Sequence, residues 1–557
     1  MDFRTMLGDD LRKITGVEAI NRDLIEVPPD TALGDFSMPC FRLAKAMRKA
    51  PPMIANDIKA AYDAYAEKPS YIDSVEAVNG YLNIRISKSQ FVKDIIGEVL
   101  DTTPVAKRGE TVVLDYSSPN IAKPFHIGHL CSTIIGDSLS KIYQALGYDT
   151  VRINYLGDYG TQFGKLISAY KRWGNEDALQ SDPIGELFRI YVKFHDEAEK
   201  DPAIEAEGRM YFKRLEDGEA EEIALWERFK SLSLKKFNEI YARLDVTFDS
   251  FNGESFYSDK MAPVVKEIEE KGLLVDSDGA KVIDLSEYNM PPCIILKSDG
   301  ATIYATRDIT AAKWRQEHYN FVKCLYVVGM PQALHFAQVF KSLELMGHEW
   351  SKGCEHVGFA HVRFAEGKMS TRTGHVVLLE DVLDESINRV REKMNVDYID
   401  ADKVDYTAEK VGIGAIKFAF LKASRERDIL FDWDETLDFN GESGPYVQYS
   451  YARSQSILKK ASGTAAVDFA GIGEEEFELA KLLNKYHDVL VEASDRNEPS
   501  VVSKYVYTVA KAFNKFYNAC QVIGSEHEGR LLKLVEAAGC TIGRCLGLLG
   551  MEALDQM

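Results

Sequence analysis

The run from Asp115 to His129 concentrates side chains suited to nucleotide chemistry: Ser117, Ser118, Asn120, Lys123, and two histidines, His126 and His129, flanking Ile127 and Gly128. An apolar stretch (Val112 to Leu114) precedes it and a periodic apolar segment follows, so the histidines fall at a predicted strand-to-helix junction. There a glycine lets an adenine ring approach the backbone, and the first-turn N–H groups with the helix dipole favour phosphate. A second element, Glu366 to Gly374, carries Lys368, Ser370 and Arg372 after an apparent strand from Val357 to Phe364. A glycine-bounded loop rich in cations and hydroxyls can close on a polyphosphate and neutralise charge that builds during transfer. Either element alone reads better as a solvated turn. Together they point to phosphate chemistry and to ATP.

Positioning these groups requires alternating strands and helices, and the middle of the chain supplies them. Leu130, Ile134, Ile135, Leu139, Ile142, Tyr143 and Leu146 recur at helical spacing, Gly147 follows as a C-cap, and Val151, Ile153 and Tyr155 alternate as a strand. A later unit repeats the pattern, with Leu325 to Gly329 as strand and Ala333 to Met346 as helix. Such units build a parallel sheet with ligands at the strand C-termini. This region spans 109–395 and contains a polar helical insertion over about 165–250. Before it, residues 1–108 mix helices with short strands, among them Asn83 to Ile86 as a half-exposed strand, and Lys107 to Gly109 read as a linker. After it, residues 400–557 show no strands but five amphipathic helices: Ala408–Ala423, Pro445–Lys460, Phe477–Ala493, Ser500–Ala519 and Arg530–Leu549. An all-helical bundle is their natural packing.

At 557 residues the chain is too long for one core, and 45% hydrophobic with 28% charged residues fits a globular enzyme rather than a disordered chain. No apolar run reaches the roughly 18–20 residues that cross a bilayer, and the N-terminus lacks a basic-then-apolar leader. A cytoplasmic protein without a membrane partner is the expectation. Eight scattered cysteines without a Cys-x-x-Cys pair read as reduced thiols rather than a disulfide frame or zinc site. The net charge of −20 argues against non-specific nucleic-acid binding over the whole surface, without excluding a local basic face. Much of the acid lies between Asp196 and Glu227, which reads as a solvated helical surface without a catalytic role.

The two phosphate elements resemble the paired signatures of class I aminoacyl-tRNA synthetases, and their surroundings resemble the arginine-specific family. Ser117 to Pro124, Leu156 to Gly164, Tyr304 to Asp308 and Gly441 to Tyr449 all match it. Gly34 to Phe36 and Gly80 to Asn83 resemble its added N-terminal domain. The resemblance implies a Rossmann-like α/β parallel-sheet catalytic domain, an α+β N-terminal domain that meets the tRNA D-loop, and an all-α anticodon-binding bundle. It implies that His126, His129, Lys123 and Lys368 serve catalysis. ATP would be held by Gly128, His129, His335, Lys368, Ser370 and Arg372. Arginine would be held by Asp115, Ser118, Asn120, His129, Tyr304, Asp308 and Gln332. These include acidic residues and neutral acceptors, which a planar, permanently charged guanidinium demands. Tyr81, Asn83, Tyr446, Gln448, Tyr449 and Arg453 would contact tRNA. For Asp308 a helix N-terminal role competes, for Tyr304 strand packing, and for the C-terminal tyrosines packing within the bundle.

One departure concerns the second signature. The class motif places a second lysine where this chain has Thr371, and Lys123 or Arg372 would replace it. The activity implied is ATP-dependent ligation of L-arginine to its tRNA, through an arginyl-adenylate and transfer to the terminal 2′-hydroxyl. Mg²⁺ would accompany ATP without a resident protein metal, and the protein would act as a monomer. A catalytically inactive tRNA-binding paralogue, or a small-molecule enzyme of the same histidine-motif superfamily, is the competing reading. All of it requires segments 115–129, 304–335 and 368–372 to converge on one cleft.

Overall fold

A computed structural model describes residues 2–364, 377–394, 399–461 and 466–557. The chain divides into two compact units. One comprises Met1–Thr103, Arg453–His487 and Thr508–Ile542; the other comprises Pro104–Ala452, Asp488–Tyr507 and Gly543–Met557.

In the first unit, helices α1 (Phe3–Thr15), α2 (Pro51–Ala64) and α3 (Lys88–Leu100) accompany strands β1 (Phe36–Pro39), β2 (Ile72–Val78) and β3 (Tyr81–Ile86). The strands form an antiparallel sheet in the order β1-β3-β2. Asn79 and Gly80 join β2 to β3 with positive φ at both, 51° and 85°, the backbone a two-residue hairpin requires. Asn83, expected on a half-exposed strand, is buried together with its neighbours Leu82 and Ile84. The Asp35 carboxylate accepts from the Ile86 N–H at 2.9 Å, so the motif at Gly34 to Phe36 closes the strand end. Phe91 of α3 packs edge-on against Phe477, ring centres 5.3 Å apart.

The second unit holds strands β4 (Thr111–Asp115) and β5 (Asp149–Ile153), with helix α4 (Ile127–Ala145) between them. Helices α5 (Thr161–Trp173) and α6 (Ala220–Arg243) bound the helical insertion. A small antiparallel sheet follows, of β6 (Leu274–Ser277), β7 (Ala280–Ile283) and β8 (Cys293–Leu296). Then come α7 (Tyr304–Tyr319), β9 (Phe321–Tyr326), α8 (Ala333–Leu345) and β10 (Cys354–His356). The main sheet runs β10-β9-β4-β5, parallel throughout. Val112, Val113, Leu114, Cys324 and Leu325 are buried within it, as strands covered on both faces should be. Strand order reverses at β4, so the crevice beyond the C-terminal ends of β4 and β9 is where a ligand belongs.

Several expectations change. The strand read from Val151 to Tyr155 ends at Ile153, and the one read from Leu325 to Gly329 runs Phe321–Tyr326, since both chains leave the sheet where the crevice opens. Val357 to Phe364 is not one strand. Cys354–His356 belongs to the main sheet, whereas β11 (Val362–Phe364) pairs in parallel with β12 (Ile429–Phe431). The latter is a strand in a region expected to have none. Phe477 to Ala493 splits into Glu474–Leu483 and Tyr486–Asp495. Glu222, assigned to a solvated surface, is fully buried, with Lys171 3.1 Å and Arg214 3.4 Å from its carboxylate. All eight cysteines are free thiols. Among the described residues no helix is long and apolar enough to cross a membrane.

Candidate active site

Helix α4 starts on the two histidines. His126 is its N-cap, and its Nδ1 accepts from the Gly128 N–H at 3.1 Å. The His129 Nδ1 accepts in return from the His126 N–H at 3.2 Å, and the two rings stack 3.8 Å apart. A capping box is thus built from imidazoles, satisfying donors the helix start leaves open. Burial and the nearby Lys123 lower the pKa of His126. Burial, His126 and Lys123 push His129 down to about 3. Both rings are therefore neutral at pH 7, and an Nδ1 that accepts a hydrogen bond carries no proton. The proton sits on Nε2 in each. The site offers two neutral N–H donors at a helix N-terminus, an arrangement that suits phosphoryl oxygens.

The loop between β4 and α4 is held in a costly backbone. Ser117, Ser118 and Ala122 have φ of 70°, 47° and 62°, left-handed values that non-glycine residues rarely adopt. The Ser117 N–H donates to Ser132 Oγ at 2.8 Å, and Ser117 Oγ lies 2.7 Å from the Tyr241 hydroxyl. The Ala122 N–H donates to Ser233 Oγ at 3.2 Å. Tyr241 and Ser233 belong to α6, so the polar insertion buttresses the histidine loop. Asn120 runs beside Gly157, where a Cβ would lie 2.1 Å from Asn120 Oδ1. That approach requires a glycine.

Four carboxylates lie around the crevice, and three already hold a cation of the chain. Asp115 accepts from Arg315 Nη2 at 2.8 Å and from Ser118 Oγ at 2.9 Å. Burial raises the pKa of Asp115 despite both partners. Arg315 is fully buried, which works against its charge, yet Asp115, Tyr326 and Tyr257 hold its pKa well above the ordinary value. Asp115 was expected to meet arginine; here an internal guanidinium occupies it. Asp158 pairs with Lys230 and accepts from the Ser255 N–H at 2.8 Å and Ser255 Oγ at 2.7 Å. Glu254 Oε1 lies 3.1 Å from Arg307 Nη1. Asp308 has no such cation. Its Oδ2 is 2.6 Å from His335 Nε2, and no described residue donates to its other oxygen.

The remaining expected residues are distributed as follows. Tyr304 opens α7, 57% exposed and edge-on to His335 at 4.9 Å, so it is neither strand nor packing residue. Asp308 lies past the α7 N-cap, Ile303, and does not cap the helix. Gln332 is exposed in the turn before α8. His335, assigned to ATP, has its Nε2 on Asp308. The Arg315 bond to Asp115 joins segments 115–129 and 304–335 at one crevice, and the Asp308 charge acts on Asp115 there. Lys368, Ser370, Thr371 and Arg372 lie outside the described residues. The stretch that follows them returns to the histidines: the Ile127 N–H donates to the Val377 carbonyl and the Leu379 N–H to the Phe125 carbonyl, at 3.4 and 3.1 Å. Sequence reasoning missed Arg315, although a charged residue continuing the buried stripe Ala305, Ile309, Ala312 calls for a buried partner. It also missed the Glu254–Arg307 pair, for which no periodicity gives a signal.

Of the residues expected to meet tRNA, Tyr81 is exposed and packs edge-on against Phe41 at 5.3 Å. Asn83 is buried and accepts from Ser37 Oγ at 2.8 Å, so its amide serves the sheet. Gln448 is fully buried and donates to the Glu552 carbonyl at 2.9 Å. Its spacing matched a reading set, but its environment is that of a core residue. Tyr449 is exposed and Tyr446 half-buried, its ring 5.5 Å from that of Tyr507. Arg453 donates to Asn514 and lies over the Tyr517 ring.

Comparison with known proteins agrees with this architecture. Residues 92–433 match the catalytic domain of class I tRNA synthetases (R), 1–86 the arginyl tRNA synthetase N terminal domain, and 447–557 the DALR anticodon binding domain. The chain is 53% identical to the arginine–tRNA ligase of Clostridium acetobutylicum and 54% identical to that of Clostridium perfringens, with 100% of each chain covered. The solved structure of Thermus thermophilus arginyl-tRNA synthetase superposes with a TM-score of 0.81 at 25% identity, again over 100% of both chains. With matches of this extent across all three regions, the chain belongs to the arginyl-tRNA synthetases of class I.

Proposed function

We propose that the protein ligates L-arginine to its tRNA in two steps at the crevice beyond β4 and β9. The observation that carries the reading is the pair of imidazoles capping α4, each with its Nδ1 taken by a backbone N–H, together with one carboxylate of the crevice, Asp308, that no internal lysine or arginine holds. In the first step the arginine carboxylate attacks the α-phosphorus of ATP in line, and pyrophosphate leaves. His126 and His129 donate to the phosphoryl oxygens, and Gly128 leaves room for the adenine. The chain contributes position and charge stabilisation rather than a covalent intermediate. Lys123, whose charge acts on both histidines, supports the leaving pyrophosphate in place of the lysine that Thr371 replaces. Ser118 and Asn120 orient the backbone end of arginine; Tyr304, Asp308 and Gln332 take its guanidinium. In the second step the terminal 2′-hydroxyl of tRNA attacks the adenylate carbonyl and AMP leaves.

Mg²⁺ arrives on the ATP phosphates and needs no all-protein cage. The division into 1–108, 109–395 and 400–557 follows function, with the first part on the tRNA D-loop and the last on the anticodon. Of the tRNA set, exposed Tyr81 and Tyr449 are favoured over buried Asn83 and Gln448. A cytoplasmic monomer without an editing site completes the reading, since a charged fork is discriminated in one step. Arginine-dependent pyrophosphate exchange tests it: exchange is expected with tRNA present and absent without it. No exchange under either condition, with no charging of tRNA, would overturn the ligase; equal exchange without tRNA would overturn only the coupling.

A further inference from the structure

A slot that attracts a guanidinium attracts the chain's own guanidinium groups as well. Two of them are at hand. Arg315 and Arg307 both act, with Asp308 and Glu254, on the buried hydroxyl of Tyr155, so the four charges share one neighbourhood. Arg315 spends its Nη2 on Asp115, although its Nε and Nη1 are also enclosed without a partner, and Lys230 pairs with Asp158. Arg307 is the residue next to Asp308 on α7, mostly buried, and its Nε is enclosed without a partner. A guanidinium with unused donors there would turn to the nearby carboxylate that has an oxygen to spare.

We propose that Glu254 is a positioning residue which holds the Arg307 guanidinium aside, so that Asp308 stays open to the guanidinium of the substrate. The proposal deepens the ligase reading and rests on it. Glu254 is itself firmly placed. Its N–H donates to the Leu156 carbonyl at 3.0 Å, and the following Ser255 N–H is tied to Asp158. At Gly253 a Cβ would meet the Leu156 carbonyl at 2.5 Å, so the segment lies directly on the loop after β5. The charge balance completes the case. With all four carboxylates ionised, as above the Glu254 pKa of about 7, Asp115, Asp158, Glu254 and Asp308 face three internal lysine and arginine cations (Arg315, Lys230, Arg307), which leaves one negative charge to match one positive substrate side chain. Without Glu254 the balance is neutral, and the substrate must displace Arg307 before it binds.

The test is tRNA charging by the full-length protein with arginine varied, comparing wild type, Glu254→Ala, Arg307→Gln and the double variant. For Glu254→Ala the arginine KM should rise roughly tenfold or more, the scale of one charge-assisted hydrogen bond, with kcat within about twofold. Arg307→Gln should stay within about threefold of the wild-type KM, and the double variant should return to the same range. The rescue separates positioning from simple structural support. An unchanged KM in Glu254→Ala overturns the proposal, as does a double variant that keeps the raised KM, which would mean that Glu254 meets the substrate directly. Should Glu254→Ala fail to fold, a large KM rise in Arg307→Gln alone still overturns it. If the wild type charges no tRNA with arginine, the ligase reading itself falls; if it charges and this pattern is missing, only the Glu254 proposal falls.

Discussion

Replacing Asp308 with asparagine keeps the side chain's size and one acceptor but removes the charge. Two unit charges about 4 Å apart at an effective dielectric near 20 attract by roughly 4 kcal/mol. The amide retains a neutral hydrogen bond of about 1 kcal/mol. The Asp308 side chain is 19% exposed, so solvent screens part of the remainder. A net loss of about 2–3 kcal/mol corresponds to a rise of roughly 30- to 160-fold in the arginine KM. The guanidinium lies at the far end of the substrate from the reacting carboxylate, so kcat at saturating arginine should change little. Asp115→Asn should behave differently. It leaves a fully buried Arg315 without its charge partner, which typically costs about 3–5 kcal/mol of stability. Charging kinetics and thermal unfolding of both variants decide the matter. A KM for Asp308→Asn within threefold of wild type, or a raised KM with unchanged melting for Asp115→Asn, would refute the assignment of Asp308 to substrate and Asp115 to Arg315.

Lys123→Ala should cut adenylate formation severely while arginine affinity stays near normal; tRNA-dependent pyrophosphate exchange that persists near wild-type rate would return the role to Arg372. The folded His129 pKa of about 3 lies below the ordinary 6.5, so between those values the unfolded chain binds more protons and stability rises with pH. That contribution is complete above about 6.5 and lost as pH falls towards 3, and His129→Gln should flatten this acid limb in denaturant titrations at stepped pH. Burial lifts Glu254 to about 7, opposed by Arg307 and reinforced by Asp308 and Asp158, with Asp158 itself paired to Lys230 and the Tyr159 backbone donating to Glu254. Protonating Glu254 releases Arg307, so the arginine KM should rise as pH drops from 8 to 6, and a KM that is flat over that range would count against the release.

The sheet was legible because its residues report it. Val112 to Leu114 and Leu325 are apolar on both faces, and α4 declares itself through unbroken helical spacing ending at Gly147. Where the chain leaves the sheet to form the crevice, side chains answer to tertiary partners rather than to periodicity. Tyr155 therefore read as strand, and Val357 to Phe364 as one strand instead of a crossing between two sheets. The site was legible as motifs but not as a circuit. Asp115 and Asp308 look equivalent in sequence, two acids in the right region, and only the position of Arg315 separates them. Asn83 and Gln448 show the same limit: an amide suits a base edge and a buried carbonyl equally well, and spacing cannot choose.

The histidine pair explains why the helix start is ready for phosphate before any arrives. A helix N-terminus with open N–H groups could bind an anion through its backbone alone. Here two of those donors are already satisfied by Nδ1 atoms, and each ring relays the gain outward as an Nε2–H. The relay works only while the rings stay neutral, because a protonated Nδ1 would lose its backbone donor and break the cap. Lys123 contributes to both ends of this arrangement: its charge helps keep the imidazoles unprotonated and adds to the attraction for a polyphosphate. Neutral donors also suit turnover. On the proposed reading they would stabilise charge on the phosphoryl oxygens without the ionic grip that would retain pyrophosphate or AMP. The left-handed backbone at Ser117, Ser118 and Ala122 lies just ahead of the rings, and α6 holds two of these positions through Tyr241 and Ser233.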